Sequence, residues 1–80
     1  MKLVELTEFL VKSVCHFPES VSLKQFDDDD LMTIEVLVKE EDMGAVIGVS
    51  GQTANAIRTI VQASAYINQE KHVRINFDSF

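Results

Sequence analysis

Two glycines three positions apart, Gly48 and Gly51, interrupt an otherwise apolar, helix-prone run from Val46 to Ile57. Glycine accepts backbone angles that other residues resist, and without a Cβ it lets a second backbone come close. Helical patterning on both sides of such a break predicts two helices joined by a tight turn at 48–51, rather than one long helix or a strand. The second glycine stands just before a helix. The first turn of that helix carries unpaired N–H groups and a partial positive charge, an environment that suits a phosphodiester.

Periodicity places the remaining elements around that turn. Leu3, Leu6, Phe9/Leu10, Val14 and Phe17 recur at helical spacing, with Glu5, Glu8 and Lys12 between them, and predict an amphipathic helix over 2–16. Pro18 stops it, and the restriction proline places on Phe17 helps. Val21, Leu23 and Gln25 alternate with Ser22, Lys24 and Phe26 as a short strand. Asp27-Asp28-Asp29-Asp30 forms a turn. Residues 31–39 then alternate, with Met32, Ile34, Val36 and Val38 on one face, as a strand that pairs with the first in a hairpin.

The acidic run Glu40-Glu41-Asp42 favours the positive end of a helix dipole and opens a short helix over 41–47. A longer helix begins near Gln52, with Ser50 as its expected N-cap. It turns Ala54, Ile57, Ile60/Val61 and Ser64/Ala65 to a core and Gln52, Asn55, Arg58/Thr59 and Gln62 outward. Residues 68–70 reverse the chain into a last strand over 72–77, with Val73, Ile75 and Phe77 inward. The expected architecture is α+β, with the order α-β-β-α-α-β and a three-stranded sheet covered on one face by three helices.

Eighty residues predict one domain spanning 1–80. A 46% hydrophobic, 25% charged composition places it among folded domains rather than disordered tails. No apolar run approaches the roughly 20 residues that span a bilayer, and the acidic, amphipathic N-terminus is unlike a signal peptide. The one cysteine, Cys15, excludes an internal disulfide and suits a reducing compartment, so the expected location is cytoplasmic with no membrane partner.

Residues 1–78 together resemble the KhpA (YlqC-like) family of small bacterial single-KH-domain proteins. The resemblance is carried by Glu41-Asp42-Met43-Gly44-Ala45-Val46-Ile47-Gly48 and by Gln52-Thr53-Ala54-Asn55-Ala56-Ile57-Arg58-Thr59, with the opening Leu3-Val4-Glu5-Leu6-Thr7-Glu8 helix in agreement. It implies a type II KH domain whose GxxG loop is 48–51 and whose groove holds about four nucleotides of single-stranded RNA. It also implies RNA-chaperone or regulatory work linked to cell elongation and division, self-association, and pairing with a larger KH protein of the Jag/KhpB family.

Carried over residue by residue, Gly48 and Gly51 let the loop lie against phosphates. Val49 and Ser50 offer backbone N–H donors, and the Ser50 hydroxyl assists. Ile47, Gln52, Asn55 and Arg58 line one wall of the groove. Members of the family commonly carry basic residues where this chain has Val49, Ser50, Gln52 and Asn55. Arg58 is therefore the one basic side chain expected near the loop, and the aspartates at 27–30 are expected to border the groove and repel phosphate. With seven basic against thirteen acidic residues and a net charge of −6, long-range steering opposes RNA, so binding is expected to be weak.

That charge keeps a second reading open: a degenerate KH domain working mainly through protein association, as a homodimer or with the larger KH partner. Catalysis is not expected. Cys15 and His16 are adjacent on a helix and diverge by about 100°, which suits no thiol–imidazole pair. His16 and His72 have no metal-ligand spacing, and four sequential aspartates in a turn form a solvated loop rather than a cation site. No cofactor is expected.

Overall fold

A computed structural model describes residues 2–80 of the chain. Helix α1 spans Leu3–Val14, strand β1 Ser22–Asp27 and strand β2 Leu31–Val38; helix α2 spans Glu40–Ile47, helix α3 Gln52–Ile67 and strand β3 His72–Ser79. Two short 3₁₀ turns, Pro18–Ser20 and Val49–Gly51, precede β1 and α3.

The sheet has the order β1-β2-β3. The β1–β2 hairpin is antiparallel, from Ser22 opposite Leu37 to Asp27 opposite Met32. The β2–β3 pair is parallel, from Leu31 beside His72 to Val38 beside Ser79. A parallel neighbour requires a crossover, and α2, the glycine turn and α3 together supply it.

Strict alternation in β2 puts Met32, Ile34, Val36 and Val38 into the core, all at 8% exposure or less, and β3 adds Val73 and Ile75. The helices cover that face with Leu3 and Val11 of α1, Val46 of α2, and Ile57, Val61 and Ala65 of α3. Each of the larger aliphatic side chains contributes about 1.5–3 kcal/mol through its burial. The element order and the single covered face match the sequence expectation.

Helix α1 departs from it in rotation. Thr7 and Val11 are fully buried, whereas Phe9 and Val14 are 64% and 37% exposed. Helical spacing alone admits both settings, and the threonine conceals its role because a hydroxyl is counted as polar. Buried Thr7 resolves the conflict locally by donating from Oγ1 to the carbonyl of Leu3 at 2.8 Å. The helix also stops two residues short of the expected end, with Cys15 in extended conformation. In α3, Ile60 is 47% exposed and Val61 is the core residue of that pair.

Asp42 carries the most buried charge. Its carboxylate, at 0% exposure, accepts the backbone N–H of His16 and of Phe17, both at 2.9 Å. The first turn of α2 is thereby fastened to the chain leaving α1. Burial disfavours the charged carboxylate, but the His16 and Phe17 bonds outweigh it and hold Asp42 below the usual carboxylate range. Burial, and then the charge of Asp42, push the neighbouring Cys15 thiol up, which disfavours its thiolate.

Candidate nucleic-acid interface

Ile47, half-buried, ends α2, and Gly48 closes it with φ 79° and ψ 174°. That combination belongs almost entirely to glycine. The neighbourhood reinforces it: a Cβ on Gly48 would lie 2.8 Å from both the backbone N and the Cβ of Thr53. The side chain of Thr53, on the first turn of α3, therefore packs where only glycine leaves room. Gly51 is different. Its φ of 75° also favours glycine, but a Cβ there would meet nothing nearer than Asn55 Nδ2 at 3.8 Å.

Between the glycines, Val49 is 81% exposed and Ser50 sits in the left-handed region at φ 56°, ψ 27°. The turn closes on itself through Gly51 N–H to Gly48 C=O at 3.2 Å and Gln52 N–H to Val49 C=O. Among the described residues, no hydrogen bond within the protein engages the N–H of Val49 or of Ser50. Ser50 is not the N-cap. The 3₁₀ turn moves the capping position to Gly51, so the start of α3 has no side-chain acceptor. An exposed pair of backbone donors thus adjoins the positive end of a 16-residue helix.

The wall beside the loop is built from one flank of α3. Arg58 donates from Nε to the Ile75 carbonyl and from Nη1 to Asn55 Oδ1, both at 3.2 Å. Its guanidinium stands 5.1 Å from the ring centre of Phe77. One turn on, Gln62 Nε2 donates to the Val73 carbonyl at 3.2 Å. Among the described residues, strand β3 has a neighbour on one side only, and these two side chains occupy carbonyls along its open side. Arg58 is thus a fixed strut between helix and strand. Asn55 is held by it, while Gln52 stays exposed beside the loop.

A cavity of about 330 Å³ lies along this seam, lined by Arg58, Gln62, Arg74 and Asn76 among others. It runs away from the glycine turn toward Leu31 and His72. The aspartate turn adjoins that distant end. Asp27 belongs to β1, residues 28–30 make the turn, and the Asp28 N–H bonds the Leu31 carbonyl at 2.8 Å. Helix α3, about 24 Å long, separates the turn from the glycine loop. Lys71 reaches it, 3.4 Å from Asp27 Oδ1. The Gln25 amide first, and Lys71 after it, hold Asp27 below the usual carboxylate range despite some desolvation.

All eight residues expected at the site fall on the glycine turn, the end of α2 or this flank of α3. Sequence reasoning did not place Thr53, Gln62, Phe77 or the open edge of β3 at the site. Thr53 acts through the close approach of α3 to Gly48, and Gln62, Phe77 and the edge through the parallel placement of β3; periodicity reports neither. Cys15 and His16 stay apart from the groove, and among the described residues no cluster of three or more metal-ligating side chains occurs.

A family model for the KH domain of KhpA/KhpB matches residues 4–77. The chain is 41% identical over 69 residues to the RNA-binding protein KhpA of Clostridium perfringens, covering 86% of this chain and 92% of that one. It is 32% identical over 71 residues to the RNA-binding protein KhpA of Thermotoga maritima, covering 89% and 92%. Among solved structures, Aquifex aeolicus Era bound to GDP·AlF4− is similar with a TM-score of 0.72 and 16% identity, over 98% of this chain and 30% of that chain. Era in complex with MgGDPNP and a segment of 16S ribosomal RNA gives 0.73 at the same identity. These two likenesses concern the fold.

Proposed function

The chain belongs to the KhpA/KhpB KH-domain family, and from that premise we propose that it binds single-stranded RNA through the 48–51 loop, as an RNA chaperone or post-transcriptional regulator in the cytoplasm. The family is one of RNA-binding modules and not of enzymes. What supports the loop as the contact is the pair of unengaged N–H groups on Val49 and Ser50 beside the groove that Arg58 spans. Phosphate oxygens are the acceptors those donors lack. Gly48 permits the turn, Ile47 and Gln52 flank it, and Asn55 positions Arg58. Binding is weak and shallow in its salt dependence, because few phosphates are neutralised.

The test is fluorescence anisotropy of a labelled short single-stranded RNA at low salt, with wild type and the double variant Val49→Asp/Ser50→Asp. Both positions are exposed, and aspartate tolerates the left-handed backbone of Ser50. Retained circular dichroism with a loss of affinity of about tenfold or more is expected, since two new anions would face the phosphates. Equal binding by the two proteins overturns the assignment of the loop.

One observation favours association as well. Ala56, Ile60, Ala63 and Ile67 follow one outward stripe of α3, and Ile60 and Ile67 are 47% and 75% exposed. A homodimer, or a pairing with a larger KH protein of the Jag/KhpB kind, would cover it. Sedimentation of wild type against Ile60→Glu/Ile67→Glu tests this, with a concentration-dependent dimer expected for the wild type alone.

A further inference from the structure

The groove does not end at Arg58. Beyond the 330 Å³ cavity lies a second of about 160 Å³, and Gln62, His72 and Val73 line both. Tyr66 stands on its wall, 84% exposed. Asn55, Arg58, Gln62 and Tyr66 are three or four residues apart and so form one flank of α3. Arg58 and Gln62 reach across to β3, whereas no hydrogen bond of the Tyr66 side chain occurs among the described residues. An exposed aromatic in line with a nucleic-acid groove is placed as a stacking platform, and stacking tolerates any base because each has a π-face.

Building on the RNA-binding reading above, we propose that Tyr66 stacks on a base of the bound RNA at the end of the groove remote from the glycine loop. From Gly51 to Tyr66, α3 rises about 22 Å. The two contacts are therefore made by different nucleotides of one strand: the loop takes phosphate, and the tyrosine takes a base. The local charge favours this division. Glu70 lines the distal cavity, and Lys71, which also lines it, is paired with Asp27. That end offers little to a phosphate and an uncharged ring to a base.

The chain has one tyrosine and no tryptophan, so its intrinsic emission reports on Tyr66 alone. Titration with a random-sequence RNA octamer pool, corrected for RNA absorbance, is expected to quench that emission as anisotropy rises. A dinucleotide at the same site occupancy is expected to leave it unchanged. Tyr66→Ala should weaken octamer binding about tenfold, and Tyr66→Phe, which keeps the ring, should stay within about twofold of wild type. The exposed position leaves the core untouched, and circular dichroism of each variant checks the fold. If the octamer binds and Val49→Asp/Ser50→Asp abolishes that binding, yet emission and Tyr66→Ala affinity are unchanged, the stacking assignment is overturned and the loop reading stands. If the wild type binds no octamer at low salt, the RNA-binding reading fails and the platform fails with it.

Discussion

Helix α2 ends in opposite ways. At its start, a buried carboxylate is matched by two backbone N–H groups, those of His16 and Phe17. Just past its finish, two backbone N–H groups, those of Val49 and Ser50, have no acceptor within the described protein. The donors are the same, a pair of main-chain N–H groups, but one pair faces an anion of the protein itself and the other is left open, where we propose that phosphate binds. The closed end is inaccessible and fixes where α2 lies against α1. The open end is a turn whose exposed donors are held in place by glycine geometry. A satisfied pair stabilises the fold, and an unsatisfied, exposed pair is available for binding.

Four substitutions separate the two ends, in falling order of effect on stability. Gly48→Ala is expected to be the most damaging, at roughly 3 kcal/mol, since it combines a backbone region reserved for glycine with a clash against Thr53. Urea unfolding reads this directly, and a near-neutral result would show that the turn can relax. Asp42→Asn comes next, because the amide keeps one acceptor oxygen for the two donors.

The pH dependence of that second variant sharpens the contrast. Asp42 has a lowered folded value, so its contribution is complete above the unfolded carboxylate value of about 4 and fades as pH falls through the lower folded value. Wild type should exceed Asp42→Asn at pH 7, and the two should converge in acid. A constant gap between pH 7 and pH 3 would contradict the closed pair.

Gly51→Ala is expected to cost only about 1–2 kcal/mol, the ordinary penalty of a left-handed alanine with open space around it. Similar losses at both glycines would remove the distinction drawn from Thr53. Smallest is Val49→Lys, within about 0.5 kcal/mol for an exposed site. Its effect belongs to the open end: RNA affinity should rise several-fold at low salt, and the slope of log affinity against log salt should steepen by about 0.7. Unchanged salt dependence would mean that phosphate does not approach the loop.

Much of this molecule is legible in its sequence where one residue type answers to one physical demand. Alternation in β2 forecasts its buried face because a strand has two faces, and the glycine pair forecasts the turn. Helix α1 is harder to read. Phe9 and Val14 fit a helical stripe as well as Thr7 and Val11 do, and only contact with α3 and the sheet selects the second. Ser50 looks like an N-cap until the 3₁₀ turn advances the chain and hands that position to Gly51. Asp42 reads as one of three acidic residues favouring a helix start, yet it alone is buried.

By itself, then, the sequence determined the element order, the core face of the sheet and the position of the glycine turn, because short-range periodicity and glycine geometry are local properties, while the family followed from the resemblance of residues 41–48 and 52–59. Tertiary structure alone decided that β3 lies parallel to β2 with its open edge beside α3. It decided that Arg58 becomes a strut, that Asp42 is enclosed, and that Tyr66 continues the groove. Each depends on which groups distant in the chain come within hydrogen-bonding or packing reach, and that follows from the crossover of the chain rather than from the spacing of residues along it.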